Sequence, residues 1–444
     1  MRTRAVVTAV LALLALLVGV PVASAHTELE SSSPKDGARL SHAPGTVTLI
    51  FSEALDLADV HVAVGGRPLT VARPATGQRR AASVVVTLPK ATGDAGRVTL
   101  DWHVVDEEDG HPTSGSVSFV IGAGASASAP AAAGDAAAAP APSDAVRKAW
   151  VAVRWVDYLA LALFVGGLGF LGMLWPQGSQ DRRTRRILAV SWAAGLVATL
   201  AGAGLQGAYG ALGGLGDALK VSTYTDLLNS EVGVVLACRA LMWVLAAVVL
   251  AALMQGGERA ARSPGWRVGA AAVCLGLLRT TGMAGHNSEG SHPGWGAVAD
   301  LVHLLGVCLW LGGLAFLLFG VLPRRRPAEL SAAVHGYSTL AGVCVAAIAV
   351  AGAVLAWQVV GSFSALFDTG YGHLLLIKLA VLGAVLVGAQ RSRSWVRTRL
   401  DIAVLLRGDR ATVRPFVHSV AAETGLVLVV LAATSLLVTS APGR

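Results

Sequence analysis

The chain has 444 residues, of which 54% are hydrophobic and only 14% charged, with 52 glycines and a formal net charge of +8. Soluble domains carry about 25% charged residues, so this is a membrane protein's composition. The positive balance is no signature of nucleic-acid binding, because the arginines sit in short segments between long apolar runs, where membrane orientation requires them.

Met1 to Ala25 carries Arg2 and Arg4, an apolar run from Ala5 to Val20, and the small residues Ala23-Ser24-Ala25 that a signal peptidase reads. Cleavage after Ala25 makes His26 the first residue, whose α-amine and imidazole offer a metal two nitrogens at once. Residues 26–121 then read as an all-β domain. Strand-like stretches at 46–51, 60–64, 83–88, 97–105 and 115–121 alternate with Gly and Pro, which predicts a small Greek-key sandwich. Asp109-Gly110-His111 falls in a tight turn between two strands, where a carboxylate and an imidazole converge. With His26 they make a set of three nitrogens and one oxygen. Such donors favour tetragonal Cu(II), and Zn(II) accepts the same atoms tetrahedrally, so ligand type alone leaves both open. The bland alternative is a plain Asp-Gly turn beside a surface histidine.

Residues 122–145 are Ala-, Pro- and Gly-rich and have little to bury, which predicts a semi-extended tether; Pro130, Pro140 and Pro142 oppose a helix there. Residues 146–444 hold eight candidate membrane helices, near 150–174, 187–209, 232–254, 267–285, 297–321, 335–360, 372–390 and 418–438. Each is close to the 20 or so residues that cross a bilayer. Arginines crowd alternate connections, at 182–186, 259–267, 324–326 and 391–414, while the other connections hold only Lys220. The positive-inside rule then places the β-domain and His26 on the extracytoplasmic side of a plasma-membrane protein, with the lipid bilayer as its partner.

A second constellation lies at the extracytoplasmic ends of the fourth and fifth helices: Met283, His286, His292, Asp300 and His303. Met283 with His286, and Asp300 with His303, are three apart, so each pair shares a helix face. Ionisable groups inside membrane helices are costly and mark sites or pathways, and this set suits a copper entry site; the alternative is that Asp300 and His303 pin helices together. Arg154 and Asp157, also three apart, read as a pair. Arg279, Lys378 and Glu423 are further charges in apolar runs, balanced between snorkelling and function. Trp150, Trp155, Trp175, Trp295 and Trp395 fall near helix ends, where indoles anchor. Four cysteines inside apolar runs imply no disulfide framework. The absence of a Walker-type loop and of an Asp-Lys-Thr-Gly motif argues against ATP-driven export, and nothing in the sequence excludes haem.

These motifs resemble the CopC and CopD families of copper proteins joined in one chain, as in CopCD or YcnJ-like proteins. The CopC resemblance rests on His26, Ser33-Pro34-Lys35-Asp36-Gly37, Phe51-Ser52-Glu53, Asp109-Gly110-His111-Pro112 and Gly115 to Phe119. The CopD resemblance rests on Ala284-Gly285-His286, Asp300-x-x-His303, Trp310-Leu311-Gly312-Gly313 and Tyr371-Gly372-x-x-Leu375-x-x-Lys378. Tyr337-Ser338 stands where Phe-Ser is expected, a departure that touches no ligand. The resemblance implies Cu(II) held by His26, Asp109 and His111 in the β-domain, and Cu(I) or Cu(II) at the membrane site. It implies copper acquisition, in which captured Cu(II) is passed to the membrane domain for import, with an extracytoplasmic copper donor or reductase as a further partner. A membrane-anchored sequestration or resistance module and a membrane redox enzyme that reduces captured Cu(II) are the rival readings; a transporter or metal-binding protein is favoured over an enzyme.

Overall fold

In the computed structural model the described residues are 27, 29–55, 57, 60–75, 80–89, 96–105, 112–122, 143–211, 213–283, 293–324 and 327–360, with single positions 367, 376 and 383. They fall into two compact units, one holding 25–150 with 202–234, the other 151–201 with the chain from 235 onward.

The first unit contains the predicted β-sandwich. Among the described residues nine strands run β1 (Leu29–Ser33), β2 (Arg39–Leu40), β3 (Thr46–Phe51), β4 (His61–Val64), β5 (Arg67–Pro68), β6 (Thr70–Ala72), β7 (Ser83–Thr87), β8 (Gly96–Val105) and β9 (Pro112–Ile121). One sheet is ordered β1-β3-β7-β6 and the other β2-β9-β8-β4-β5. All pairs are antiparallel except β2 with β9. Alternation decides what goes inside: β3 buries Val47, Leu49 and Phe51, β8 buries Leu100 and Val104, and β9 buries Val117, Phe119 and Ile121. The Phe51 and Trp102 rings meet edge to face at 5.1 Å between centroids. Gly115 is the register partner of Trp102, and a Cβ there would enter the indole ring. Three bonds fasten the Pro34–Gly37 turn to Ser118 of β9, one of them from the Ser118 hydroxyl to Asp36 Oδ1 at 3.3 Å. Asp36 Oδ1 accepts the Ser118 N–H at 2.8 Å, and Gly37, at φ 75°, donates to the Ser118 carbonyl at 2.7 Å. The turn is thereby buttoned onto the strand that follows the Asp-Gly-His segment in the chain.

His103 breaks the alternation of β8 in an informative way. It points opposite to Trp102 and Val104, yet is only 1% exposed. Its cover is a segment more than 100 residues away: Nε2 lies 2.8 Å from the Gly210 carbonyl, while Nδ1 lies 3.0 Å from Ser114 Oγ. A carbonyl only accepts, so Nε2 carries the proton and Nδ1 accepts from the serine hydroxyl. Burial holds His103 below the ordinary histidine range, against the opposing pull of the Gly210 carbonyl and with the nearby His61 adding to the lowering. A histidine depressed in this way contributes stability that is present above its unfolded value and is lost as pH falls through its folded one. Acidifying below about pH 6.5 should therefore lower the amide protection factors along β8 and β9, each normalised to the intrinsic exchange rate at that pH. The effect should be absent from His103→Gln; an unchanged acid response in that variant would assign it to other groups.

The helices are α1 (Asp144–Met173), α2 (Arg182–Gly210), α3 (Val221–Leu227), α4 (Glu231–Arg262), α5 (Pro264–Met283), α6 (Pro293–Phe316) and α7 (Pro327–Val360). A π turn, Leu317–Val321, ends α6. Five spans are long and apolar enough to cross a membrane: Asp144–Met173, Arg182–Gly210, Val232–Arg262, Gly294–Arg324 and Glu329–Trp357. Pro264–Met283, which carries Arg267 and Arg279, is not among them. Five is therefore the number among the described residues, against eight predicted; the stretches at 372–390 and 418–438 lie almost wholly outside them. Lys220 pairs with Asp217 at 2.5 Å.

Glycine permits a close helix crossing among the described residues. A Cβ on Gly312 of α6 would strike the Ala162 carbonyl and Gly166 of α1, and one on Gly166 would strike the Cys308 carbonyl. Beside this crossing, Tyr337 of α7 covers Gly313 and donates its hydroxyl to the Trp310 carbonyl at 2.6 Å. The tyrosine found in place of phenylalanine thus adds a bond between α7 and α6. Two indoles expected to anchor at the lipid boundary, Trp150 and Trp175, are instead buried within protein, whereas Trp295 is exposed as an anchor would be.

Candidate metal centre

The eight predicted metal-binding residues divide between described and undescribed positions. His26, Asp109, His111, His286 and His292 lie outside the described residues, and Met283, Asp300 and His303 within them. Thr27, which follows His26, is buried, and Asp109 and His111 fall between the paired residues Val105 and Pro112 of β8 and β9. Among the described residues, no three His, Cys, Asp or Glu side chains converge as a ready metal cage. The described part of the site is therefore a fragment built on α5 and α6.

Asp300 is 7% exposed although it lies on a membrane-capable helix. Its room comes from Gly282 of α5, since Asp300 Oδ2 occupies the space that a Cβ at 282 would need. Met283 is next in sequence and is exposed. One turn beyond Asp300, His303 sets Nδ1 3.3 Å from the Ile348 carbonyl of α7, while Gly352 leaves space against the same ring. Because a carbonyl only accepts, Nδ1 carries a proton, and this nitrogen is the one the protein holds. The structure thus brings Asp300 against the residue before Met283 and orients His303 on the same helix. Replacing Gly282 with alanine should displace the Asp300 carboxylate, a movable side-chain end, without parting the helices. On the sequence-based expectation that this fragment takes part in copper import, cells should accumulate about tenfold less copper at unchanged protein abundance; wild-type accumulation would show that the contact carries no functional weight.

A polar group that local spacing did not reveal lies beside this fragment. Arg239 of α4 is 3% exposed and uses every guanidinium nitrogen: Nη2 meets Asp157 Oδ2 at 2.7 Å, Nε meets Thr199 Oγ1 at 3.3 Å, and Nη1 donates to Thr281 Oγ1. Asp157 therefore makes its 2.7 Å pair with Arg239, not with Arg154 as predicted, although Arg154 remains within electrostatic reach of it. The i,i+3 spacing suggested a pair on one helix, and the bundle supplied a better-placed guanidinium from another. A signal was present: Arg239 is the one charge between Val232 and Leu250. Tyr158 lies within electrostatic reach of Arg154, Asp157, Arg239 and Asp300 together, so two cations and two carboxylates share one neighbourhood. Arg279 is exposed, and Lys378 and Glu423 lie outside the described residues. The four cysteines are free thiols, three of them buried.

Comparison with known families covers most of the chain. The CopC domain profile matches residues 29–122, "Copper resistance protein D-like, N-terminal domain" matches 143–298, and "Copper resistance protein D" matches 331–437. Among curated proteins, the chain is 29% identical over 424 residues to the "Copper transport protein CutJ" of Bacillus subtilis (strain 168), covering 89% of this chain and 75% of that protein. It is 31% identical over 176 residues to "Copper resistance protein D" of Pseudomonas syringae pv. tomato, covering 37% of this chain and 56% of that one. Among solved structures, CopC from Methylosinus trichosporium OB3b aligns at 18% identity over 22% of this chain and 94% of its own, with a TM-score of 0.19.

Proposed function

Since CopC and CopD family domains are fused in this chain, we propose that it captures Cu(II) outside the cell with its sandwich and hands the metal to its membrane domain for import. His26, through amine and imidazole, Asp109 and His111 supply the capturing set, whose nitrogen-rich chemistry suits Cu(II). Asp300 and His303 receive the ion, with Met283, His286 and His292 at the approach to them. The observation that carries this reading is the burial of Asp300 inside the membrane-capable helix Gly294–Arg324, with His303 one turn away. A carboxylate in such a place is expensive, and ion passage is the usual reason one is kept. The transport named for the Bacillus relative and the resistance named for the Pseudomonas relative both agree with a copper cargo.

The test compares the full chain with Asp300→Asn, His303→Ala and a version bearing one extra alanine before His26. Cell copper should fall about tenfold or more in the first two while the Cu(II) paramagnetic resonance spectrum of the sandwich stays unchanged. The inserted alanine should alter that spectrum and weaken Cu(II) binding, because the amine and the imidazole no longer belong to one residue. Full accumulation in both membrane variants would remove Asp300 and His303 from the route and leave capture and sequestration as the function.

A further inference from the structure

The outer face of the paired strands β8 and β9 is covered at one end. Arg97 and Ser116 on that face are exposed, whereas His103 and Val105, farther along β8 on the same face, are buried. The covered end is the one where the chain passes from Val105 to Pro112, the passage that holds Asp109 and His111. Over His103 lies Gly210, the last residue of the membrane-capable helix Arg182–Gly210. Carbonyls in the last turn of a helix have no donor within it, and the Nε2–H of His103 supplies one to Gly210 at 2.8 Å. Ser114, opposite His103 on β9, holds the ring through Nδ1, and the His61 ring of β4 stacks against it at 6.1 Å. The receiving helix end is itself packed: Ala208 is fully buried, and Tyr209 meets Trp150 of α1 at 5.3 Å between ring centroids. All these groups belong to one compact unit.

We propose that His103 is a positioning residue for the copper hand-off: its bond to Gly210 docks the end of the sandwich that carries Asp109 and His111 onto the end of α2, so that copper leaves from a fixed place. This rests on the capture-and-transfer reading of the chain. A docked donor is indifferent to the length of the segment joining it to the membrane domain. A donor that searches on a flexible segment delivers at an effective concentration that falls as about the −3/2 power of that length. A histidine that served only the stability of the sandwich would leave this dependence unchanged.

The experiment expresses the full chain as parent, His103→Leu and His103→Gln, each with residues 123–142 present once or in duplicate, and a version with one extra alanine before His26. Cell copper is measured by mass spectrometry, membrane abundance by immunoblot, Cu(II) held by the sandwich by paramagnetic resonance, and protection of the 202–210 amides by hydrogen exchange. Leucine removes the donor, and a glutamine amide replaces the Nε2–H. His103→Leu should keep the parent's Cu(II) spectrum, show lower protection at 202–210 and accumulate about tenfold less copper. Duplication should cost that variant about threefold more. The parent and His103→Gln should accumulate the same copper at either length. Full accumulation by His103→Leu, a threefold fall in the parent on duplication, or a deficit in His103→Leu that duplication does not deepen overturns the proposal. If His103→Leu fails to fold, the parent and His103→Gln decide: indifference to length in both supports docking, and a fall in either overturns it. If the version with the extra alanine accumulates copper normally, capture by the sandwich is what has failed, and the proposal falls with it.

Discussion

Replacing Gly312 with valine should remove the folded membrane domain. Where side chains can adjust, overpacking costs about 1–3 kcal/mol. At Gly312 the obstacles are the Ala162 carbonyl and the Gly166 backbone, which have no rotamers to change, so α1 and α6 must separate. Separation strips contacts from Phe164, Leu311 and Phe316, which share the buried cluster of this unit. Against a net stability of about 5–15 kcal/mol, that loss is decisive. The measurement is protein recovered from membranes together with its thermal unfolding in detergent. Gly294→Ala, at a position with nothing nearby, should match the parent, and Gly313→Ala should fall between, because the neighbouring Tyr337 ring can shift. Normal yield and unfolding of Gly312→Val would contradict the close crossing.

Truncating Phe51 to alanine should have the second-largest effect, confined to the sandwich. The side chain is fully buried and meets Trp102, and a cavity of this kind costs about 3–5 kcal/mol. A small two-sheet domain without disulfides has little more than that to lose. Limited proteolysis of the full chain should cut residues 29–122 rapidly in Phe51→Ala and slowly in the parent, with the membrane helices left intact. Equal cleavage rates would show that the core is not centred on this ring. The exposed Arg67→Ala serves as the unaffected comparison.

What the sequence disclosed, and what it hid, follows from the range of each signal. Alternation within β3 and β9 is local, and Val47, Leu49, Phe51, Val117 and Phe119 could be placed inside from pattern alone. The two-residue strand β2 has no period to detect, and its parallel pairing with β9 depends on a partner about 80 residues away. Apolar pattern starts the first membrane helix near residue 150, just past Arg147 and Lys148. The helix begins instead at Asp144, because Asp144 pairs with Arg147 at 2.5 Å and Lys148 at 2.6 Å and makes its first turn polar. At the proposed metal site, Asp300 and His303 were visible as polar residues in an apolar run. The role of Gly282 was not, since what a glycine makes room for is set by what another helix brings to it. Arg239 was visible as a charge, and its partner, 82 positions away, could not be read from spacing.

The glycine crossing also says which parts of the bundle share a motion. Side chains between two helices act as cushions that absorb a displacement by changing rotamer, and between Gly166 and Gly312 there is no cushion. A tilt of α1 is passed on to α6 undamped. Asp157 rides on the first of these helices and Asp300 on the second, so the two carboxylates behave as fixtures on one stiff frame. Arg239 belongs to α4, and its 2.7 Å bond to Asp157 ties that helix to the same frame.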